Sequence, residues 1–122
     1  LTRDHIRILD IIPYGPDGTA DDPLRCEYHI VALSENPTYE TLSYRWGDAD
    51  NKIQIEVRGQ QIPVTRNLYR ALLRLRRPDQ TRSIWIDQLC INQEDNIEKT
   101  AQVRFMRQIY SQCTQCNVWL DE

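Results

Sequence analysis

The chain is 122 residues long, 40% hydrophobic and 27% charged, which suits one domain around one modest core and leaves no room for a second. Asp and Glu (18) outnumber Lys and Arg (15), for a formal net charge of −3, whereas a duplex nucleic-acid binder needs the opposite surplus to neutralise phosphates. No apolar run approaches the length that spans a bilayer, and the start Leu1-Thr2-Arg3-Asp4-His5 is not a signal peptide, so a cytoplasmic chain with no nucleic-acid partner and no membrane span is expected.

Residues 6–11 read as a strand, and the turn formers at 13–18 and Asp21-Asp22-Pro23 as a loop. Cys26, Tyr28, Ile30 and Ala32 alternate with Glu27, His29 and Val31, the period of a half-buried strand. After a loop at Asn36-Pro37, residues 39–46 are rich in β-formers and predict a central strand that stops at Gly47. Ile53, Ile55 and Val57, the turn Arg58-Gly59-Gln60, and then Ile62 and Val64 predict a hairpin. A helix is predicted from about Asn67 to the Leu75 region, with Leu68, Leu72 and Leu75 on one face and Ala71 beside them. Thr65 or Asn67 caps it, and Pro78 ends it. Arg70, Arg74, Arg76 and Arg77 recur at helical spacing and read as a solvated face.

Residues 83–87 predict a buried strand. Asp95 with Glu98 three residues on has the spacing of a capping box. The helix it opens carries Ala101, Phe105 and Ile109 on one stripe, with Val103, Met106, Tyr110 and Cys113 near it. Residues 117–120 close the chain as a short strand. Helices between buried strands imply parallel crossovers. The predicted fold class is therefore α/β, a mixed sheet with a parallel half, flanking helices and an antiparallel N-terminal portion.

In an open α/β sheet, ligands bind beyond the carboxyl ends of the strands. Two polar, aromatic-rich stretches lie at such ends, Ser43-Tyr44-Arg45-Trp46-Gly47-Asp48 and Asp87-Gln88-Leu89-Cys90-Ile91-Asn92-Gln93. If their strands are neighbours, Ser43, Tyr44, Arg45, Trp46, Asp87, Asn92 and Gln93 border one crevice that can hold a polar ligand with a stackable ring. Asp87 can hold a ligand hydroxyl or accept loop N–H groups. Arg45 can bind a phosphate or pair with Asp87 or Asp48. Trp46 and Trp85 read as packing residues before stacking platforms. Cys90 has no histidine near it in sequence and reads as a buried structural thiol. Cys113-Thr-Gln-Cys116 has metal-ligand spacing, but strand alternation sends Cys26 and His29, the other candidate ligands, to opposite faces. No metal is expected, and the four cysteines are expected to be reduced.

The segment Thr38-Tyr39-Glu40-Thr41-Leu42-Ser43-Tyr44-Arg45-Trp46-Gly47 resembles the opening signature of the fungal heterokaryon-incompatibility (HET) domain. Ile84-Trp85-Ile86-Asp87-Gln88-Leu89-Cys90-Ile91-Asn92-Gln93 resembles its second signature. Glu98, Gln102, Met106, Ile109 and Tyr110 match the helix that follows in that family, and Val118-Trp119-Leu120 the strand after it. The strands at residues 6–9 and Cys26 fit its usual start. Asp121 departs from the pattern, which usually has Gly there. Family members usually continue with more helices, so residues 1–122 are expected to be a single HET domain, the N-terminal part of the full one. The resemblance implies a module that triggers programmed cell death in fungal allorecognition and innate immunity. It would act by self-association or by pairing with other HET or sensor domains.

HET domains in turn resemble the TIR domains of immune signalling, which implies a flavodoxin-like parallel half. Leu42-Ser43-Tyr44-Arg45 is similar to the first TIR strand and Ile84-Trp85-Ile86-Asp87 to the second. Many TIR domains cleave NAD at the bond to nicotinamide, so the alternative function is that of an NAD glycohydrolase, with NAD as substrate. Their essential Glu follows the third parallel strand, here Val118-Trp119-Leu120, and Glu122 comes too early to match it. Glu98 is the substitute catalytic candidate, a carboxylate that could stabilise oxocarbenium-like charge. Its competing role is as reciprocal capping partner of Asp95.

Overall fold

The computed structural model describes residues 5–15, 17–19, 23–44, 52–91 and 95–119, the side chain of Gln88 excepted. In chain order the elements are β1 (His5–Ile11), β2 (Arg25–Ala32), a 3-10 turn (Leu33–Glu35), β3 (Glu40–Tyr44), β4 (Lys52–Val57), β5 (Gln60–Thr65), α1 (Arg66–Leu75), β6 (Arg82–Trp85), the single-turn α2 (Asp87–Cys90), α3 (Asn96–Gln112) and β7 (Gln115–Trp119). The strands form one seven-stranded sheet in the order β5-β4-β2-β1-β6-β3-β7. β6, β3 and β7 are parallel, and β1 is antiparallel to both β2 and β6. The β4–β5 hairpin joins β2 through a parallel contact at Arg25 and Cys26. The sheet is thus mixed, with a parallel part and an antiparallel N-terminal part, as the pattern of elements predicts. β3 and β6 are hydrogen-bonded neighbours, Glu40 opposite Ile84 and Thr41 opposite Trp85.

The core follows from the apolar strands. Ile6, Ile8, Leu9 and Ile11 are all fully buried, which requires that β1 be covered on both faces. Tyr39, Leu42, Ile84, Trp85 and Ile86 continue the core into the parallel part, and Leu68, Ala71 and Leu72 of α1 pack against it. At the amino ends of the parallel strands, Arg82 donates from Nε and Nη2 to the two Glu40 oxygens, each at 2.8 Å. Asn117 Nδ2 donates to Glu40 Oε1 at 3.0 Å and to the Thr41 carbonyl at 3.1 Å. One carboxylate therefore ties β6, β3 and β7 together.

Local chemistry sets the boundaries. The hairpin turns on Arg58 (φ 55°) and Gly59 (φ 78°), the two positive φ values that a tight I′ connection needs. Arginine is costly there, so Arg58→Asn is expected to stabilise the fold by about 0.5–1 kcal/mol, read as a higher urea midpoint. Thr65 is the cap of α1, its Oγ1 accepting from the Leu68 N–H at 3.3 Å. Asn67 instead accepts from Trp119 Nε1 at 3.0 Å. Asp95 caps α3, its carboxylate accepting from the N–H groups of Ile97 and Glu98 at 3.0 and 3.1 Å.

Four sequence-based expectations need correction. β6 ends at Trp85, so Asp87 is the first residue of α2 and not the last of a strand. The Leu89 and Cys90 N–H groups fold back onto the Ile86 carbonyl at 3.2 and 2.8 Å, which turns the chain at that point. On α3, Ala101 is exposed and Gln102 is buried, because the Gln102 amide nitrogen donates to the His5 carbonyl at 3.0 Å, which offsets the cost of taking that donor into the interior. Arg70, Arg74 and Arg77 are exposed, but Arg76 is buried. The helix ends at Leu75 and Arg76 is extended (φ −63°, ψ 136°), so helical spacing no longer governs where it points. β7 begins two residues earlier than expected because its pairing with β3 starts at Gln115 opposite Glu40. Among the described residues, no helix is long and apolar enough to cross a membrane.

Candidate functional site at the carboxyl edge of the parallel strands

Because β6, β3 and β7 run the same way, Trp85, Tyr44 and Trp119 end at one edge of the sheet. Antiparallel β1 begins at that edge, since its Leu9 already pairs with Ile84. A charged residue inside so apolar a strand needs a partner, and Arg7 has several. Its Nη2 donates to Glu98 Oε1 at 3.2 Å and its Nη1 to Glu98 Oε2 at 3.4 Å. Nη1 also donates to the Cys90 carbonyl at 3.0 Å, and the guanidinium lies 5.8 Å from the centre of the Tyr28 ring. The Tyr28 hydroxyl donates to the Leu89 carbonyl at 2.7 Å. α2 has no side-chain cap of its own, and these bonds from β1 and β2 hold it in place.

Glu98 thus carries an ion pair to Arg7, with only 10% of its side chain exposed. Asp95 caps the helix as expected, while the Glu98 carboxylate reaches across to β1. Glu98→Gln is expected to lower stability by about 1–3 kcal/mol, the worth of a charged hydrogen bond, measured by urea unfolding. An unchanged midpoint would mean that the pair holds nothing.

A second group lies around Asp87. Tyr110, on α3, stands edge-on to Trp85, with ring centres 5.6 Å apart and planes at 86°. Its hydroxyl hydrogen-bonds with Ser43. Burial, then the nearby charge of Asp87, pushes the Tyr44 phenol far above its ordinary value. Burial also raises Tyr110, although the Ser43 bond opposes the rise and the Asp87 charge adds to it. Both phenols therefore stay protonated through the neutral range. A carboxylate, two phenol hydroxyls and a serine hydroxyl at one edge can bind a ligand rich in hydroxyl groups.

Cys90 is fully buried, and burial pushes its thiol up to about 12. Its Sγ accepts from the Ile86 N–H at 3.4 Å, a structural role. Cys26 is buried too, its thiol likewise pushed up to about 12, and His29 is exposed, as alternation predicts. A thiol reagent is expected to label exposed Cys116 first and half-buried Cys113 next, and to leave Cys26 and Cys90 untouched until the chain unfolds. Peptide mass spectrometry checks this, and rapid native labelling of Cys90 would contradict it.

Of the residues singled out from sequence, the structure brings Ser43, Tyr44 and Asp87 to one edge, with Glu98 held beside them through Arg7 and α2. Arg45, Trp46, Asn92 and Gln93 lie outside the described residues. Sequence reasoning missed Arg7 and Tyr28 altogether and read Tyr110 only as a neighbour of an apolar stripe. The one available signal was a charge in the middle of an apolar strand.

Residues 39–122 match the heterokaryon incompatibility protein (HET) family. The chain belongs to the HET family. Heterokaryon incompatibility protein 6, OR allele, of Neurospora crassa is 39% identical over 129 aligned residues, which cover 95% of this chain and 18% of that protein. The HET chain therefore spans less than a fifth of the length of this relative. No solved structure gives a significant match. The second signature segment and all of the first but Thr38 fall inside the matched range, as does Glu98. Its partner Arg7 lies before that range, on a strand paired directly with β6.

Proposed function

We propose that this HET chain is a cytoplasmic signalling module of fungal incompatibility, which triggers programmed cell death by associating with like domains or with a sensor domain. The likeness to heterokaryon incompatibility protein 6 over nearly the whole chain carries the reading. The Arg7–Glu98 pair supports association over catalysis, because a carboxylate held by a guanidinium is poorly disposed to meet charge on a substrate. Exposed Ile97 and Val103 on α3 and exposed Val118 on β7, the last strand in the sheet order, also support it. Sedimentation over a wide concentration range is expected to show mass rising with concentration, and Val118→Lys is expected to reduce the rise. A strict monomer at every concentration would overturn the proposal.

A second reading, a TIR-like NAD glycohydrolase, is favoured by the order of the parallel strands. In β6-β3-β7 the first strand stands between the second and the third, the arrangement of flavodoxin-like sheets, which bind ligands beyond the strand ends. On this reading Asp87 holds a ligand hydroxyl and Glu98 meets the charge at the breaking bond, with Ser43, Tyr44, Arg45, Trp46, Asn92 and Gln93 around the substrate. NAD would then raise the melting temperature, and Asp87→Asn would abolish the rise. A melting temperature indifferent to NAD removes the support for this reading.

A further inference from the structure

The motif Cys113-Thr114-Gln115-Cys116 lies at the amino ends of the parallel strands, away from the carboxyl-edge cluster. α3 ends at Gln112, and Cys113 caps it in an extended conformation (φ −67°, ψ 152°), so the chain leaves the helix there and enters β7 at Gln115. Thr114 fixes the crossing, its N–H and its Oγ1 both donating to the Tyr39 carbonyl, at 2.8 and 3.0 Å. Gln115 then pairs with Glu40 and Cys116 with Thr41.

One side chain of β3 brings the two thiols together. Cys116 stands directly opposite Thr41, and paired residues of adjacent strands point to the same face of the sheet, about 4.8 Å apart. Cys113 Sγ lies 3.5 Å from Thr41 Oγ1. Both cysteines therefore border the same fully buried threonine. Tyr110 agrees with this placement, since each thiol is near enough for its thiolate to raise that phenol. The two differ in access. Cys116 is exposed and Cys113 is half-buried, its Sγ donating to the Tyr110 carbonyl at 3.1 Å. An exposed thiol beside a sheltered one suits an attacking cysteine and its resolving partner. Cys26 and Cys90, both buried, take no part.

We propose that Cys113 and Cys116 form a redox modification site that reacts with a small disulfide and closes to an internal one. The Cys116 thiolate attacks one sulfur of the small disulfide, whose S–S bond breaks and whose first thiol leaves. Cys113 gives its proton to solvent, attacks the Cys116 sulfur and expels the second thiol. The cysteines lose two electrons and two protons, and the small disulfide gains them. The new bond ties the end of α3 to β7 and removes the thiol donor from the Tyr110 carbonyl, on the residue whose hydroxyl bonds to Ser43.

Oxidised glutathione added to the folded chain, followed by mass spectrometry of the intact protein and of the peptide that holds both cysteines, tests the proposal. The wild type is expected to become two hydrogens lighter, with the change in that peptide. Cys113→Ser is expected to stop at a glutathione adduct on Cys116. A neighbouring thiol acts at an effective concentration of order millimolar, so the adduct in the wild type is expected to be at least about tenfold scarcer than in that variant. If Cys113→Ser fails to fold, exposed Cys116→Ser carries the test and is expected to take up no glutathione while the wild type is fully converted. A wild type that keeps its adduct, a bond joining Cys116 of two chains, uptake by Cys116→Ser as fast as by the wild type, or no reaction at all would each overturn it.

Discussion

Replacing Trp85 by alanine is expected to lower the unfolding free energy by about 3–5 kcal/mol, the cost of emptying the place of a large aromatic core residue. Trp85 is fully buried between the equally buried Ile84 and Ile86. It pairs with Thr41 of the central parallel strand and holds Tyr110 edge-on at 5.6 Å. Its loss therefore empties the core and also frees the side chain that hydrogen-bonds with Ser43 beside Asp87. Trp85→Phe separates the causes. The indole Nε1 is buried with no hydrogen-bond partner among the described residues, so phenylalanine forfeits ring volume but no bond. A loss of about 1–2 kcal/mol is expected for it. Urea unfolding of both variants checks this, and a Phe variant as unstable as the Ala variant would mean that the N–H matters.

Breaking the Glu40–Arg82 pair is the other large effect. Glu40→Gln is expected to cost about 3 kcal/mol, the low end for losing one partner of a buried pair, because the side chains are 18% and 12% exposed. The loss depends on pH in a defined direction. Burial works against the Glu40 charge, but the Arg82 and Asn117 hydrogen bonds and the Arg82 charge outweigh it and hold the carboxyl below its ordinary 4.5. A carboxyl depressed on folding contributes stability that is complete above its unfolded pKa and is lost as pH falls through its folded pKa. The gap between wild type and Glu40→Gln is therefore expected to be widest at neutral pH and to narrow below about pH 4. Removing both charges, as Glu40→Leu with Arg82→Leu, is expected to recover part of the loss because no lone charge stays buried. A gap that does not change with pH would contradict the ion-pair assignment.

Features with a local cause are legible in the sequence. The Asp95 cap, the Arg58-Gly59 turn and the alternation around Cys26 each depend on residues a few positions apart. The residues that build the candidate site depend on pairing between distant segments. Arg7 and Glu98 are 91 positions apart, and their bond exists only because β1 lies beside β6 and α3 passes near its start. Gln102 is buried for the same kind of reason, a carbonyl of β1 that no helical period can reveal. Arg76 is misjudged because the helix that would have exposed it stops one residue earlier. Asp87 shifts from strand to helix because backbone N–H groups close on Ile86, a turn with no glycine or proline to announce it. The adjacency of β3 and β6 likewise needed parallel pairing between remote segments. It brings Ser43 and Tyr44 to the same edge as Asp87.

The most direct measurement is nicotinamide release from NAD by the purified chain at high protein concentration, with Glu98→Gln alongside. No release from either protein is the expected result, with Glu98 serving as the partner of Arg7 and the chain acting through association. Release by the wild type that Glu98→Gln abolishes would contradict this and make Glu98 a catalytic residue.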